Sequence, residues 1–179
     1  MIDSWLLLIY TVPAQPSRKR AAVWREVKKA GAVYLRDGVC ALPELPAQLR
    51  TFEEIAAKVA ELGGQATLVR SASLDEQRAE AVIAEAATAR AAEYEDILGE
   101  VGRFHAHLRR ERQHREFTFR EVQEIEADLG KLQRWTTQVK ERDFTGLERA
   151  KEVDEALAGC EAELASFAEE AFRQEERSL

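Results

Sequence analysis

Three consecutive cations, Arg18, Lys19 and Arg20, open the stretch SRKRAAVWREVKKAG, and Arg25 and Lys29 follow them. On a helix Arg18, Arg25 and Lys29 fall on one face, while Val23, Trp24, Val27 and Ala30 fall on the other. Cations in a first helical turn face the positive end of the helix dipole, an arrangement unfavourable by roughly a few tenths of a kcal/mol each. An anion would relieve it. Free backbone N–H groups at a helix start and the forked donors of arginine suit a DNA phosphate or another oxyanion. Arg36, before the Asp37-Gly38 pair, extends the surface, as does Arg70. The candidate nucleic-acid or anion-binding set is therefore Arg18, Lys19, Arg20, Arg25, Lys29 and Arg36. The alternative is that these side chains are solvated or paired with glutamates elsewhere in the chain. Arg20 is the sharpest case, because the wheel turns it toward Val23 and Val27, where an arginine requires a carboxylate or a ligand. A structural ion pair is the expectation there.

Other residue types offer less. Trp5, Trp24 and Tyr34 could interleave with the cations as stacking groups, but aromatics at such positions more often belong to a core. All three histidines lie in RFHAHLRRERQHR, residues 103–115, where His107, Glu111 and His114 share a helical face. A zinc-type spacing with a catalytic glutamate between two histidines is absent, and five arginines oppose a cation, so a solvated basic helix end is expected and no metal is assigned. Cys40 and Cys160 are far apart and sit at apolar positions, which fits buried, inert thiols in a reducing cytoplasm. Asp3 stands near the start of the first apolar run and receives no nuclease role. No catalytic residues and no cofactor are expected.

The elements that must hold these groups follow from patterning. Trp5 to Val12 are apolar nearly throughout, too short for a membrane span of about 20 residues and suited to a central strand. Ser17 can cap a helix to about Ala30, and Gly31 stops it. AVYLR and VCALP flank Asp37-Gly38, a hairpin signal. Thr51 to Glu54 reads as a capping box opening a helix to about Leu62, Gly63-Gly64 ends it, and QATLVR supplies a fourth strand. The order is βαββαβ, a ferredoxin-like split βαβ arrangement over residues 1–72.

Residues 73–179 read as a long antiparallel three-helix bundle. Ser73 to Glu76 and Thr118 to Glu121 are capping boxes. The expected stripes are Ile83, Ala87, Arg90, Tyr94, Ile97, Val101, Phe104 and Leu108; then Val122, Ile125, Leu129, Leu132, Trp135 and Val139; then Ala150, Val153, Leu157, Cys160, Leu164, Phe167 and Ala171. Only Arg90 interrupts them. Such stripes can pair between two copies as well as within one, so a homodimer is among the expected partners. Charge follows the same division: the first part carries a cationic excess and the second a larger anionic one, within a chain of 179 residues and net charge −7. That balance excludes generic coating of nucleic acid and leaves only a local basic patch to bind it.

WLLLIYTVPAQPSRKRAAVWREVKKAGAVYLRDGVCALPE, with the later FTFREVQEIEADLGKLQRWTTQVKERDFTG and EALAGCEAELASFAEEAF, resembles the N-terminal domain of the ChrB family, bacterial proteins linked to chromate resistance. The most specific pieces are the first strand, the VWR of the basic helix, the LRDGV turn, and RW followed by RDF. The α+β part also looks like the core module of PaaX-type repressors and of small nuclease-like proteins of CRISPR adaptation. The ChrB resemblance implies a cytoplasmic protein of transcriptional control, acting on DNA, with chromate or another oxyanion as a possible effector. Full-length members carry a second, C-terminal domain that this chain, ending at Leu179, does not show, which implies a separately encoded partner. No recognition helix of helix-turn-helix type is evident. Two rival readings are a non-catalytic interaction or scaffold module whose basic face docks on a partner, and an enzyme, either a metal-dependent nuclease or a thiol reductant of chromate.

Overall fold

The structure, a computed structural model, describes residue 2 and residues 4–114 and 118–178, without the side chains of 177 and 178. Asp3, and Arg115 at the end of the histidine segment, lie outside the described residues. The elements run β1 (Trp5–Thr11), α1 (Ser17–Lys29), β2 (Val33–Arg36), β3 (Val39–Pro43), α2 (Pro46–Glu61), β4 (Gln65–Ala72), α3 (Glu76–His114), α4 (Phe119–Glu141) and α5 (Arg149–Ser178). The protein is α+β and mostly helical. Two compact units divide inside α3, residues 1–88 and 89–179.

In the first unit the sheet order is β2-β3-β1-β4, and β1 pairs antiparallel with both β3 and β4. β1 and β2 are therefore parallel across β3, and β3 and β4 are parallel across β1. Alternation sends Leu6 and Leu8 of β1 to one face, where Leu8 lies opposite Cys40 and Leu68 and all contact with water is lost. Val23 and Val27 of α1 and Phe52, Ile55 and Val59 of α2 are buried as well. Each such side chain contributes about 2 kcal/mol.

The glycine signals act as read, and three of the expected caps do not. Gly31 and Gly63 adopt φ of 74° and 81°. Gly31 N–H bonds Lys28 O and Ala32 N–H bonds Val27 O, while Gly63 and Gly64 N–H bond Ala60 O and Val59 O, the paired closure of a left-handed helix end. Gly38 takes φ 70° in the hairpin, and its carbonyl accepts from Tyr10 N–H at 2.7 Å. Thr51 does not open α2. The helix begins at Pro46, whose missing N–H costs nothing in a first turn, and Thr51 lies inside it with Oγ1 donating to Ala47 O. Nor does Ser73 cap α3: Asp75 Oδ1 accepts from Arg78 N–H. Ser17 is the first residue of α1 rather than its cap, and that helix start has no side-chain cap at all. Arg78 also donates to the carbonyls of Tyr34 and Leu35, covering part of the free edge of β2.

In the second unit, α3 from Tyr94 onward shares one apolar core with α4 and α5. The α5 stripe is as expected, from Val153 through Ala171. Near the start of α3 the buried positions are Val82 and Ala86, one residue before the expected Ile83 and Ala87. In α4 Thr136 is buried where Trp135 was expected, its hydroxyl satisfied by Leu132 O, and Trp135 is half-buried. The stripes are thus covered within one chain, so self-association would have to use other surfaces, such as the exposed Phe119 and Phe172.

Arg90 remains the exception in the seam. It is 7% exposed, its Nη1 stands 3.4 Å from Glu93 Oε2, and neither Nε nor Nη1 has a hydrogen-bond partner. Burial, with Arg142 nearby, pulls its pKa below the ordinary arginine value despite Glu93. Glu93 is held bidentately by Arg142 at 2.9 Å and does not need Arg90. Arg90→Met should therefore be neutral or stabilising by about 1 kcal/mol in urea unfolding. A loss above about 2 kcal/mol would show that the Arg90–Glu93 contact outweighs the burial of the guanidinium.

Candidate nucleic-acid interface

The candidate cations separate once they are placed. Arg18, Arg20, Arg25 and Lys29 of α1 and Arg36 at the end of β2 are exposed. Among the described residues none of them lies within ion-pairing distance of a carboxylate. Most cations of the second unit differ: Arg103, Arg110, Arg112, Arg120, Lys131, Lys140, Arg142, Arg149, Lys151 and Arg173 are paired, while among the described residues Arg109 and Arg134 have no carboxylate within ion-pairing distance. Lys19 does not belong to the exposed group. Its Nζ donates to Leu62 O at 2.8 Å, closing the C-terminal end of α2, where the helix dipole favours a cation. Arg70 is held by Glu44, which also accepts from Ser71 N–H.

The expected pairing of Arg20 is overturned. Arg20 is exposed, and it lines a cavity of about 490 Å³ with Tyr10, Val12, Trp24, Tyr34, Asp37 and Gly38. Trp24, placed by the wheel on the apolar face, is 53% exposed at this cavity. It follows Val23 in the chain but is not among the buried residues of α1, which are Val23 and Val27. Trp5, by contrast, is buried in β1. Tyr10 and Tyr34 meet hydroxyl to hydroxyl at 2.7 Å, and burial is the leading cause that raises both their pKa values. Gly38 has no room for a side chain, since a Cβ there would stand 2.5 Å from Tyr10 O. Sequence reasoning missed Tyr10 and Asp37 as members of this site. The signal available was weak: Tyr10 alternates onto the same face as Leu8, and Asp37 shares the hairpin with Tyr34.

The histidine segment is not a solvated helix end. His105 Nδ1 pairs with Glu163, Arg112 bonds both Glu163 and Glu170, and the Arg112 guanidinium lies 5.9 Å from the Phe167 ring centre. His114 Nδ1 bonds Arg110 O in its own helix instead of joining His107 and Glu111. Glu121 of α4 takes that place, with the donor atoms of His107, Glu111 and Glu121 all within 4.8 Å of one another. Glu111, only 4% exposed, is already engaged at Oε1 by His107 at 3.3 Å and Arg110 at 3.1 Å. The larger cavity of this unit, about 870 Å³, is floored by Phe104, Leu132 and Trp135 and edged by pairs already satisfied, Arg103–Glu100 and Lys131–Asp128.

Cys160 Sγ lies 3.6 Å from His105 Nε2, whose other nitrogen meets Glu163, an order reminiscent of a thiol–imidazole–carboxylate relay. The thiol is fully buried, however, and burial followed by the charges of Glu163 and Glu161 pushes its pKa up to about 11. Burial takes Cys40 to about 12. At neutral pH both are thiols rather than thiolates.

An antiparallel sheet unit whose first helix carries exposed cations with no carboxylate partner among the described residues, continuous in sequence with a helical unit rich in ion pairs, defines the class of protein. The chain belongs to the family described as Protein ChrB, N-terminal, which matches residues 20–178. It is similar to Protein ChrB of Cupriavidus metallidurans, at 33% identity over 75 residues, 42% of this chain. That stretch is 23% of the relative's length. No solved structure matches the chain. Among the described residues no helix is long and apolar enough to cross a membrane.

Proposed function

We propose that this chain is a regulatory protein of chromate resistance that binds DNA through the cationic face of α1. Membership of the ChrB family, which is linked to chromate resistance, supports the regulatory part. The observation that carries the DNA part is the set of exposed cations Arg18, Arg20, Arg25 and Lys29, without a carboxylate partner among the described residues, on one helix of a chain with net charge −7. Exposed cations gathered on one helix raise the local potential and invite a polyanion. The uncapped start of α1 adds free backbone donors at the same end. On this reading the sheet unit is a ferredoxin-like module, since its strand order and two interleaved crossovers are those of the split βαβ arrangement, and the second unit is a three-helix bundle supporting assembly. The role is taken as non-enzymatic and cytoplasmic, a reading supported by two buried, protonated thiols.

Binding of a labelled duplex from the gene's own upstream region, measured across a salt series, tests this. Each phosphate contact contributes about 0.9 to the slope of log K against log salt, so Arg18→Glu/Arg25→Glu/Lys29→Glu should reduce the slope by about three and the affinity about a hundredfold at 0.15 M salt. Native protein that fails to bind at low salt, while forming stable assemblies, would replace the DNA reading with that of a partner-docking module.

A further inference from the structure

The groove beside α1 has a composition that phosphate binding does not require. Its lining includes three aromatics, Trp24 from the helix, Tyr10 from β1 and Tyr34 from β2, and its charged groups are one guanidinium, Arg20, and one carboxylate, Asp37. A compact dianion fits such a lining poorly, since one cation would hold it while Asp37 repelled it. A planar ligand with an apolar face and a polar edge fits well. We propose that the groove is a nucleobase pocket, taking one unpaired base of a nucleic acid that crosses α1 and is held by its cations. This rests on the DNA reading above and narrows it to DNA with an unstacked or single-stranded position.

The chemistry of each wall follows. Trp24, half out of water, offers an indole face on which any base can stack, and its present exposure is relieved when a base covers it. Arg20 can pair with the phosphate next to that base or lie over its ring. Asp37 accepts only, so it suits the N–H groups of a base edge. The two phenols use one hydrogen between them, which leaves the second hydroxyl a donor to spare. The site is already built: the Gly38 carbonyl accepts from Tyr10 N–H, locking the hairpin that carries Asp37 onto β1. A volume of about 490 Å³ lies within the usual range for a small-ligand pocket. Extruding a base costs least where it is already unpaired, so the preference is for a bulge or single strand over an intact duplex.

The test compares a paired duplex with the same duplex carrying one bulged 2-aminopurine, against the full chain as native protein, Trp24→Ala, Trp24→Phe and the triple charge reversal. Native protein should bind the bulged duplex at least about tenfold more tightly and quench its 2-aminopurine fluorescence. Loss of one stacking partner is worth about 5- to 150-fold, so Trp24→Ala should fall to the paired-duplex affinity with an unchanged salt slope and no quenching. Trp24→Phe should retain most of both. If native protein binds the two duplexes alike, or Trp24→Ala binds the bulge as well as native, while the triple reversal still weakens both, the pocket is overturned and the DNA reading stands. If native protein binds neither duplex, both are overturned.

Discussion

Gly64→Ala is expected to destabilise the sheet unit by more than about 3 kcal/mol, read as an early transition in urea or thermal unfolding. A Cβ at Gly64 would press into the Thr11 carbonyl more closely than real Cβ atoms approach anything, and would stand 2.8 Å from Val59 Cγ1 and 3.1 Å from Val59 O. Thr11 is the last residue of β1, paired with Gln65, and Val59 belongs to the last turn of α2, whose carbonyl Gly64 N–H already closes. Two of these three obstacles are backbone, which cannot swing aside as a lysine or arginine end would. Relief must come from separating α2 from the β1–β4 ladder, where the buried core of this unit lies. Gly99→Ala is the control. Gly99 lies within α3 with nothing inside 4 Å of a Cβ, and alanine there should add about 0.5–1 kcal/mol through helix propensity and a less mobile unfolded chain. If Gly64→Ala cost under 1 kcal/mol, the close approach of helix end and strand would be wrong.

Asp143→Ala should cost the helical unit about 3–4 kcal/mol. Its Oδ1 accepts from Thr145 N–H, the Thr145 hydroxyl and Gly146 N–H at 3.0, 2.6 and 3.1 Å, and its Oδ2 from Leu147 N–H and the Tyr94 hydroxyl at 3.3 and 3.1 Å. Removing the carboxylate leaves several loop donors to find water and strands the hydroxyl of a fully buried tyrosine, each orphaned group costing about 1–3 kcal/mol where water cannot reach it. Burial by itself would raise the Asp143 pKa. The hydrogen bonds from Thr145, Leu147 and Tyr94 outweigh burial and hold it below the ordinary carboxyl value. A depressed folded pKa gives a stabilisation that is complete above the unfolded value of about 3.9 and is lost as pH falls through the lower folded value. Native protein should therefore lose stability steeply below about pH 4, and Asp143→Asn, less stable at neutral pH, should show a flatter acid limb. Equal acid limbs in the two proteins would mean that Asp143 is not the group responsible. Tyr94→Phe, which removes one of the five bonds and leaves the packing, should cost about 1 kcal/mol.

Much of the architecture could be read from local pattern. The run of strands and helices through residue 72 followed from apolar runs, from Asp37-Gly38, and from Gly31 and Gly63, because each signal is a backbone constraint that acts within a few residues. The α5 stripe was legible for the same reason, its apolar residues recurring along one face of a single helix. Thr118 caps α4 through its hydroxyl, accepting from Glu121 N–H, as its spacing indicated. Thr51 and Ser73 had the same spacing and were displaced by Pro46 and Asp75, since a capping box states where a helix can start and a competing residue upstream or downstream can start it first.

The sequence by itself determined the elements, their order and the segregation of charge, because these depend on period, turn chemistry and composition. Only the tertiary structure decided the candidate site. A helical wheel gives the angle of Arg20 and Trp24 about one axis but not which neighbour covers that angle, so it buried both, whereas the structure leaves both exposed and lining one groove. It likewise could not separate Lys19, drawn to Leu62 O more than forty residues away in the chain, from the cations left free beside it. Nor could it gather Tyr10, Trp24, Tyr34 and Asp37 from three elements and a turn into one groove. Contacts between residues distant in sequence follow from how elements pack, and packing is settled by the shape of every surface at once rather than by the pattern of any one segment.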